Sequence, residues 1–600
     1  GHALFTIELL QDLQARGDLM RDAEGRWIEG RSLNWEHIPP RVEAVIAERI
    51  DRLPEDAQLL LRAASVEGDE FTAEVTARVL GLDRAEVLRQ LSGRLGEEHK
   101  LVRGYRVTWL EPDRRSLSRY RFRHALFHDY LYQRLDAVEQ ARLHQLTGEA
   151  LEELHGTQAA QIAVQLAHHY DQAGLAAKAI EQLHLAAEQA MRLGAYRVAV
   201  ANLKRGLALL ESLPETPERA QRELRLRIAI AGLLAPVYGV GDAARTDTAA
   251  PAVALGRQAG GGLQAIYALF LQAGVRRGQS NIAQAVEAGR QMLAQAGENR
   301  QAAMLAYFTQ GVTKLFAGQP ASCRADLEMA LSLYRSEEDD SLETLVGFNP
   351  QALILAWGSL PLWILGYGEQ AASRATQAEE LAQALNQPYT SVLALIATIW
   401  LRVHAFADPS VSPQVETLRK LVDETGVEAM RPWARVFSGW LLIRQGHVAE
   451  GLAQMRRHLP GHDNSGTNLG APGLCALLAQ LYLDHGYYDE GLQAVDRGLD
   501  LHKQGIGQMA EAELYRLRGA LLFGKDGAGS REEAESLFLR AAGMAREQNA
   551  LTWELRAAMD LARLWRHTDR EQEATAHLAE IYARHTEGFD MPDLRQAAAL

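Results

Sequence analysis

Residues Gly439–Gly451 read GWLLIRQGHVAEG, and residues Ala479–Gly491, about forty positions on, read AQLYLDHGYYDEG. The two stretches share four offsets: a small residue (Gly439, Ala479), a large apolar one three on (Leu442, Tyr482), a glycine four later (Gly446, Gly486) and a small residue again (Gly451, Gly491). A helix–turn–helix unit accounts for all four. Small residues let two helices approach where they touch, the large apolar residue fills the space beside them, and glycine takes the turn. Gly519 and Leu522 restart the pattern, with KDGAGS before Ala534 and Ala541, and Ala562, Trp565, Asp569 and Ala574 repeat it. Upstream, Gly311, Lys314, Gly318 and Ala330 give another copy, and Tyr196–Leu210 (YRVAVANLKRGLALL) reads as a helix of the same kind.

One such pair cannot bury its apolar face alone, so successive pairs must stack. The expected fold is mainly α: a TPR-like α-solenoid with a repeat near 40 residues, each helix slightly longer than in a minimal unit. Trp357, Trp363, Trp400, Trp433, Trp440, Trp553 and Trp565 fall at helical spacing and are expected in the core. The stretch Gly239–Gly262 (GVGDAARTDTAAPAVALGRQAGGG) reads as a weak repeat or a flexible joint. The acidic run Glu337–Asp340 (EEDD) reads as a solvated connector.

With 600 residues the chain exceeds what one hydrophobic core supports. A net charge of −14 argues against general nucleic-acid binding, which needs surplus Lys and Arg against phosphate. The two cysteines, Cys323 and Cys475, make no disulfide framework or four-ligand zinc site, so a reducing, cytoplasmic compartment is expected. No uninterrupted apolar run is long enough for a membrane span. Because the chain opens at Gly1 without a leader pattern, it reads as starting partway through a larger protein.

The first 155 residues differ in kind. Helical patterns run through Ala3–Arg16, Pro40–Leu53, Asp56–Ser65, Thr72–Leu80 and Arg84–Leu95. Leu101–Trp109 (LVRGYRVTW) then alternates and Arg119–Phe122 (RYRF) is β-prone, with EPDRRS between as a turn. A hairpin after three helices outlines a winged helix. Eight basic residues against two acidic ones lie between Lys100 and Arg123, which makes a DNA-binding wing a hypothesis that the overall charge opposes.

The runs GHALFTIELLQDLQARGDLM, IPPRVEAVIAERIDRL, LLRAASVEGDEFTAEV and SRYRFRHALFHDYLYQRL, with LTWELRAAMDLARLW and IYARHTEGFDMPDL near the end, resemble the rear part of bacterial STAND-class (AAA-type) signalling ATPases. The branch in question is often fused behind a class III adenylate or guanylate cyclase domain. The resemblance implies residues 1–38 as a remnant of the ATPase helical lid and 39–155 as a winged-helix-like domain. Beyond them it implies first TPR-like helices at 156–238, the weak repeat or joint at 239–262, and the solenoid proper at 263–600. It further implies nucleotide contact, in an intact parent, from His124 in RFRHALF and from Gly1, Ala3 and Leu4, where the family has Gly-x-Pro-Leu and this chain lacks the proline. A histidine suits a phosphate because it donates a hydrogen bond and gains charge near neutral pH. Read without the resemblance, His124 is a strand–helix junction histidine satisfied by backbone or solvent. His128, one turn on, has no third ligand for a metal.

No G-x-x-x-x-G-K-[ST] occurs, and LFGKDGAGS has the wrong order, so this chain alone has no phosphate cradle. No catalytic residue and no metal site is expected. The expected cofactors are none in this chain and ATP or ADP with Mg²⁺ in the parent. Expected partners are a protein or small effector on the solenoid and an ATPase domain N-terminal to this chain, with no membrane and no nucleic acid. The leading expectation is therefore the regulatory and sensory arm of a signalling ATPase. The alternatives are a free-standing TPR scaffold for protein–protein interaction and, behind it, an ATPase–TPR transcription regulator.

Overall fold

The computed structural model describes residues 19–21, 27–29, 40–110, 115–258, 262–339, 342, 346–406, 409–459, 468–566 and 570–600. Gly1, Ala3, Leu4 and the expected helix Ala3–Arg16 lie outside these residues. The chain divides into two compact units, residues 1–186 with 209–213, and residues 187–208 with 214–600. No helix among the described residues is long and apolar enough to cross a membrane.

In the first unit, strands β1 (Leu19–Arg21) and β2 (Trp27–Glu29) pair antiparallel. Helix Glu55–Glu67 leads into β3 (Glu70–Thr72), then helices Ala73–Leu80 and Arg84–Arg89, the last running on as a π-helical stretch, Gln90–Glu98. Strands β4 (Val102–Leu110) and β5 (Arg115–Phe122) follow, in the antiparallel order β3-β5-β4. The hairpin expected after the helices is present, with one more strand, β3, than the sequence pattern suggested. Thr72 ends β3 and is the N-cap of helix Ala73–Leu80, and the buried Glu67 carboxylate accepts from its N–H (2.8 Å) and from its hydroxyl (2.7 Å). Leu60, Leu61, Phe71, Leu91, Leu95, Phe122 and Phe127 share one core. Val75, Leu110 and Leu117 share a second core with Leu151, Leu166 and Tyr170, which attaches helices Ala137–His155 and Ala163–Gln172 to the same unit.

The basic character of the wing is partly spent inside the fold. Arg119 meets Glu67 at 3.1 Å, Arg121 pairs with Asp69 and Glu70, and Arg123 donates to the carbonyls of Val102 and Gly96.

A chain of hydrogen bonds joins helices Ala125–Gln133, Ala137–His155 and Ala163–Gln172. The Tyr132 hydroxyl lies 2.8 Å from His144 Nε2, and His144 Nδ1 lies 2.9 Å from His169 Nδ1. Two tautomer patterns satisfy both contacts: Tyr132 donates to His144 and His144 to His169, or both donations run the other way. Burial first, and neighbouring histidines second, push His144 down to about 4 and His169 to about 3. Each therefore stays neutral in the fold while the unfolded chain takes up a proton below about pH 6.5. Stability is complete above that pH and falls towards pH 4, by about 2 kcal/mol per histidine between pH 6.5 and 5. Amide exchange over residues 137–172, corrected for intrinsic rates, should be markedly faster at pH 5 than at pH 7. Equal protection at the two values would refute the assignment.

The second unit is a stack of antiparallel helix pairs. Helices Arg431–Arg444, Ala471–Asp484, Glu511–Asp526 and Leu551–Trp565 begin 40 residues apart, each followed by its partner, Val448–His458, Tyr488–Lys503, Arg531–Glu547 and Glu571–Tyr582. The four offsets do what the sequence pattern implied. A Cβ on Gly451 would lie 2.4 Å from the Gly439 carbonyl oxygen and 2.6 Å from Ile443, so the two helices cross at backbone contact. Gly446 and Gly486 occupy the turns with φ of 94° and 76°. Proline stands in the first turn of helices Pro350–Ile364, Pro388–Leu401, Arg431–Arg444 and Ala471–Asp484, where its missing N–H costs nothing. Within Gly239–Gly262, Ala243–Gln258 is helical and packs between Pro217–Tyr238 and Leu263–Gly278.

This stack winds tightly enough for one superhelical turn to touch the next. Arg197 pairs with Glu428 at 2.7 Å, the Tyr389 N–H donates to the Tyr196 hydroxyl, and the Thr552 hydroxyl donates to the Trp363 carbonyl. Gly588 N–H donates to Glu369, and Gln370 to Glu587. Such contacts join residues 189 to 231 positions apart.

The EEDD run departs from expectation. Ser336–Asp339 is a short helix, and Asp339 is fully buried rather than solvated. Arg300 reaches it through both Nη atoms (2.5 and 2.7 Å), and the Arg335 N–H adds a third bond, 2.7 Å. These donors hold the Asp339 carboxyl below its usual range despite the burial that opposes them. Asp339 fastens the segment to Arg300, while Glu338 beside it stays exposed.

Candidate functional site

Winding places the first helix of each pair on the inside, and two chambers open there. The first is lined from helices Pro217–Tyr238, Leu263–Gly278, Arg300–Phe316, Pro350–Ile364, Pro388–Leu401 and Arg431–Arg444, and encloses about 120 Å³. Its walls are largely aromatic. Phe270, Phe308 and Phe348 form a triangle with centroids 5.7 to 6.4 Å apart, Phe316 meets Trp357 edge-on at 5.7 Å, and Trp433 closes another side.

Two arginines enter this apolar space. Arg245, 5% exposed, donates from Nε to the Ala231 carbonyl (2.8 Å) and from Nη1 to the Val240 carbonyl (2.9 Å). Gly274 leaves room for it, since a Cβ there would stand 3.2 Å from Nη1. Arg277 donates to the Thr313 hydroxyl at 3.4 Å. Neither pairs with a carboxylate among the described residues. Burial brings both guanidinium groups down to about 10, Arg245 adds repulsion on Arg277, and Tyr389, itself pushed up to about 12 by burial, offsets part of the effect.

The second chamber, about 410 Å³, is polar and its charges are matched. Arg516 bonds Glu513 at 2.7 Å, Asp560 at 2.5 Å and Gln480 at 2.7 Å, while Arg556 bonds Asp593 at 2.9 Å and Glu513 at 3.3 Å. Arg556 also donates to the His404 carbonyl, 2.6 Å away. Though desolvation opposes it, this company carries Glu513 down to about 2. Burial takes His404 down to about 3, and its Nε2 is buried without a partner among the described residues.

His124 is the N-cap of helix Ala125–Gln133, and its Nδ1 accepts from the Leu126 N–H at 3.3 Å. His128 bonds Asp129 at 2.8 Å and stacks on Tyr132. Among the described residues no group of three His, Cys, Asp or Glu side chains is placed to hold a metal. The tryptophans are mostly core: Trp363, Trp400, Trp433, Trp440, Trp553 and Trp565 are buried, and Trp357 reaches a chamber wall. Arg245 and Arg277 carried no signal in the sequence. Each stands in an ordinary helical context, and only the winding reveals that no acid among the described residues faces them.

No family model matches the chain, and no curated protein matches it. Solved structures similar to it include the crystal structure of Rap protein complexed with competence and sporulation factor, at 14% identity and a TM-score of 0.34, covering 67% of this chain and 99% of that one. Another is the crystal structure of yeast Tom70, at 12% identity and a TM-score of 0.31, covering 76% and 91%.

Proposed function

We propose that this chain is a recognition arm whose solenoid takes an effector or partner protein on its inner surface and passes the event to a nucleotide switch elsewhere in the same protein. The observation that carries the reading is the make-up of the first chamber. Its lining runs from Ala235 to Gly470, through several successive helix pairs. Filling it therefore biases how those pairs pack on one another, and a ligand shifts a two-state equilibrium only by such a difference in affinity.

The relay to nucleotide rests on the STAND-like segments. In that reading His124 holds the β-phosphate of ADP in the closed state, and ATP with Mg²⁺ replaces it on activation, while Gly1, Ala3 and Leu4 border the adenine. His124 sits on a helix N-terminus, where backbone N–H groups and the helix dipole favour an anion. The reading frame preceding Gly1 is expected to encode a P-loop domain. In that longer protein, His124→Ala should speed ADP release by about tenfold, the loss of one charge-assisted bond. A stop codon just upstream, or an ADP off-rate unmoved by the substitution, would leave the protein-binding scaffold as the function.

A further inference from the structure

We infer that the aromatic chamber is a binding site for a small apolar carboxylate, whose anionic head is held by Arg245 and Arg277 and whose body lies among Phe270, Phe308, Phe348 and Trp357. The inference deepens the recognition reading by naming the ligand class, and it does not depend on the relay to nucleotide.

The first ground is unmatched charge. A buried guanidinium is costly unless paired, and this fold pairs its other buried arginines. Arg516 and Arg556 are surrounded by carboxylates, and Arg300 has Asp339. Arg245 and Arg277 share one chamber and, among the described residues, have only two backbone carbonyls and a distant hydroxyl between them. A purely structural arginine pair would gain from one acid nearby. Among the described residues no acid stands there, which leaves the described site one or two negative charges short, and a ligand supplies them.

Positioning is the second ground. The bonds from Arg245 to Ala231 and Val240 use Nε and Nη1 and fix the plane of the guanidinium, as a preorganised site requires. The remaining donors of the two side chains suit the two oxygens of a carboxylate. A phosphate dianion presents more acceptors, and the other walls offer it little, being rings and aliphatic side chains.

Size and chemistry of the walls form the third. About 120 Å³ bounded by aromatic rings accommodates a compact body, not a folded peptide. A ring or short acyl chain there gains burial and edge-to-face contacts.

The test is calorimetric titration of the full chain with phenylacetate, indole-3-acetate and octanoate, each beside its neutral amide, and with inorganic phosphate. At least one carboxylate should saturate below millimolar concentration, with its amide weaker by about tenfold or more, the worth of a charged hydrogen bond. Arg277→Met should weaken that carboxylate by about tenfold while leaving the melting temperature at or above that of the unsubstituted chain, because a buried charge without a partner is removed. Arg277→Lys should retain part of the affinity, keeping charge without the fork. Absence of saturation by all three carboxylates, amides as tight as acids, phosphate tighter than any of them, or a marked fall in melting temperature for Arg277→Met would each overturn the inference. Carboxylate binding with no effect of His124→Ala on nucleotide would uphold the site and dismiss only the relay.

Discussion

Arg516→Met should destabilise the solenoid by about 3–5 kcal/mol, the usual cost of leaving a buried ion cluster without its central cation. Arg516 is 93% buried and bonds Glu513, Asp560 and Gln480, which belong to three different helices. Methionine matches its length but answers none of these acceptors. Glu513 keeps Arg556 for company, yet Asp560 retains only Arg563, whose side chain is half exposed. Urea unfolding at neutral pH measures the loss. A triple variant that adds Glu513→Gln and Asp560→Asn should recover much of it, since the damage lies in the stranded carboxylates and not in the absent arginine. A loss below about 1 kcal/mol would place the cluster among screened surface pairs. The pH dependence has a definite sign. Glu513 titrates near 2 in the fold and higher when unfolded, so its contribution is present above the unfolded value of about 4.3 and is lost as pH falls towards 2.

What the sequence disclosed about this architecture depended on whether the cause was local. The glycine and alanine offsets were legible because a close helix crossing needs a small residue at a fixed distance from the turn; Gly439, Gly446 and Gly451 each do what their spacing implied. The wing hairpin was legible from alternation, whereas β3 was hidden because a three-residue strand carries no period and Ala73 continues directly into a helix. Asp339 was misread for a different reason. An acidic run is normally solvated, and nothing nearby announces that Arg300 folds back over it. The chamber was the least visible feature. Its wall contains residues as far apart as Phe270 and Leu469, brought together by the accumulated rotation of successive helix pairs, a property of the whole stack. His124 was found through resemblance, and its N-cap geometry is local enough for the sequence to have shown it, with a strand ending at Phe122 and an apolar helix starting at Ala125.

Gly278→Val should have the second large effect, a loss at the upper end of the ~1–3 kcal/mol typical of overpacking, together with damage to the chamber. A Cβ on Gly278 would stand 2.5 Å from Gly241 N, 2.7 Å from Gly241 Cα and 2.9 Å from the Val240 carbonyl carbon. All three are main-chain atoms, so no rotamer relieves the clash and the Val240–Gly241 segment has to move. The reverse face of the contact is just as tight, since a Cβ on Gly241 would lie 2.6 Å from Gly278 C. Glycine is required at both positions for close approach, which gives this part of the glycine-rich stretch a packing role. The Val240 carbonyl accepts from Arg245 Nη1, so displacing it releases one of the two bonds that orient that guanidinium. Gly278→Ala should act in the same direction but less, and both should weaken carboxylate binding in step with the loss of stability. Chemical denaturation beside the calorimetric titration separates the two readouts. A Gly278→Val chain as stable as the parent would show that the two backbone segments are not held in contact in solution.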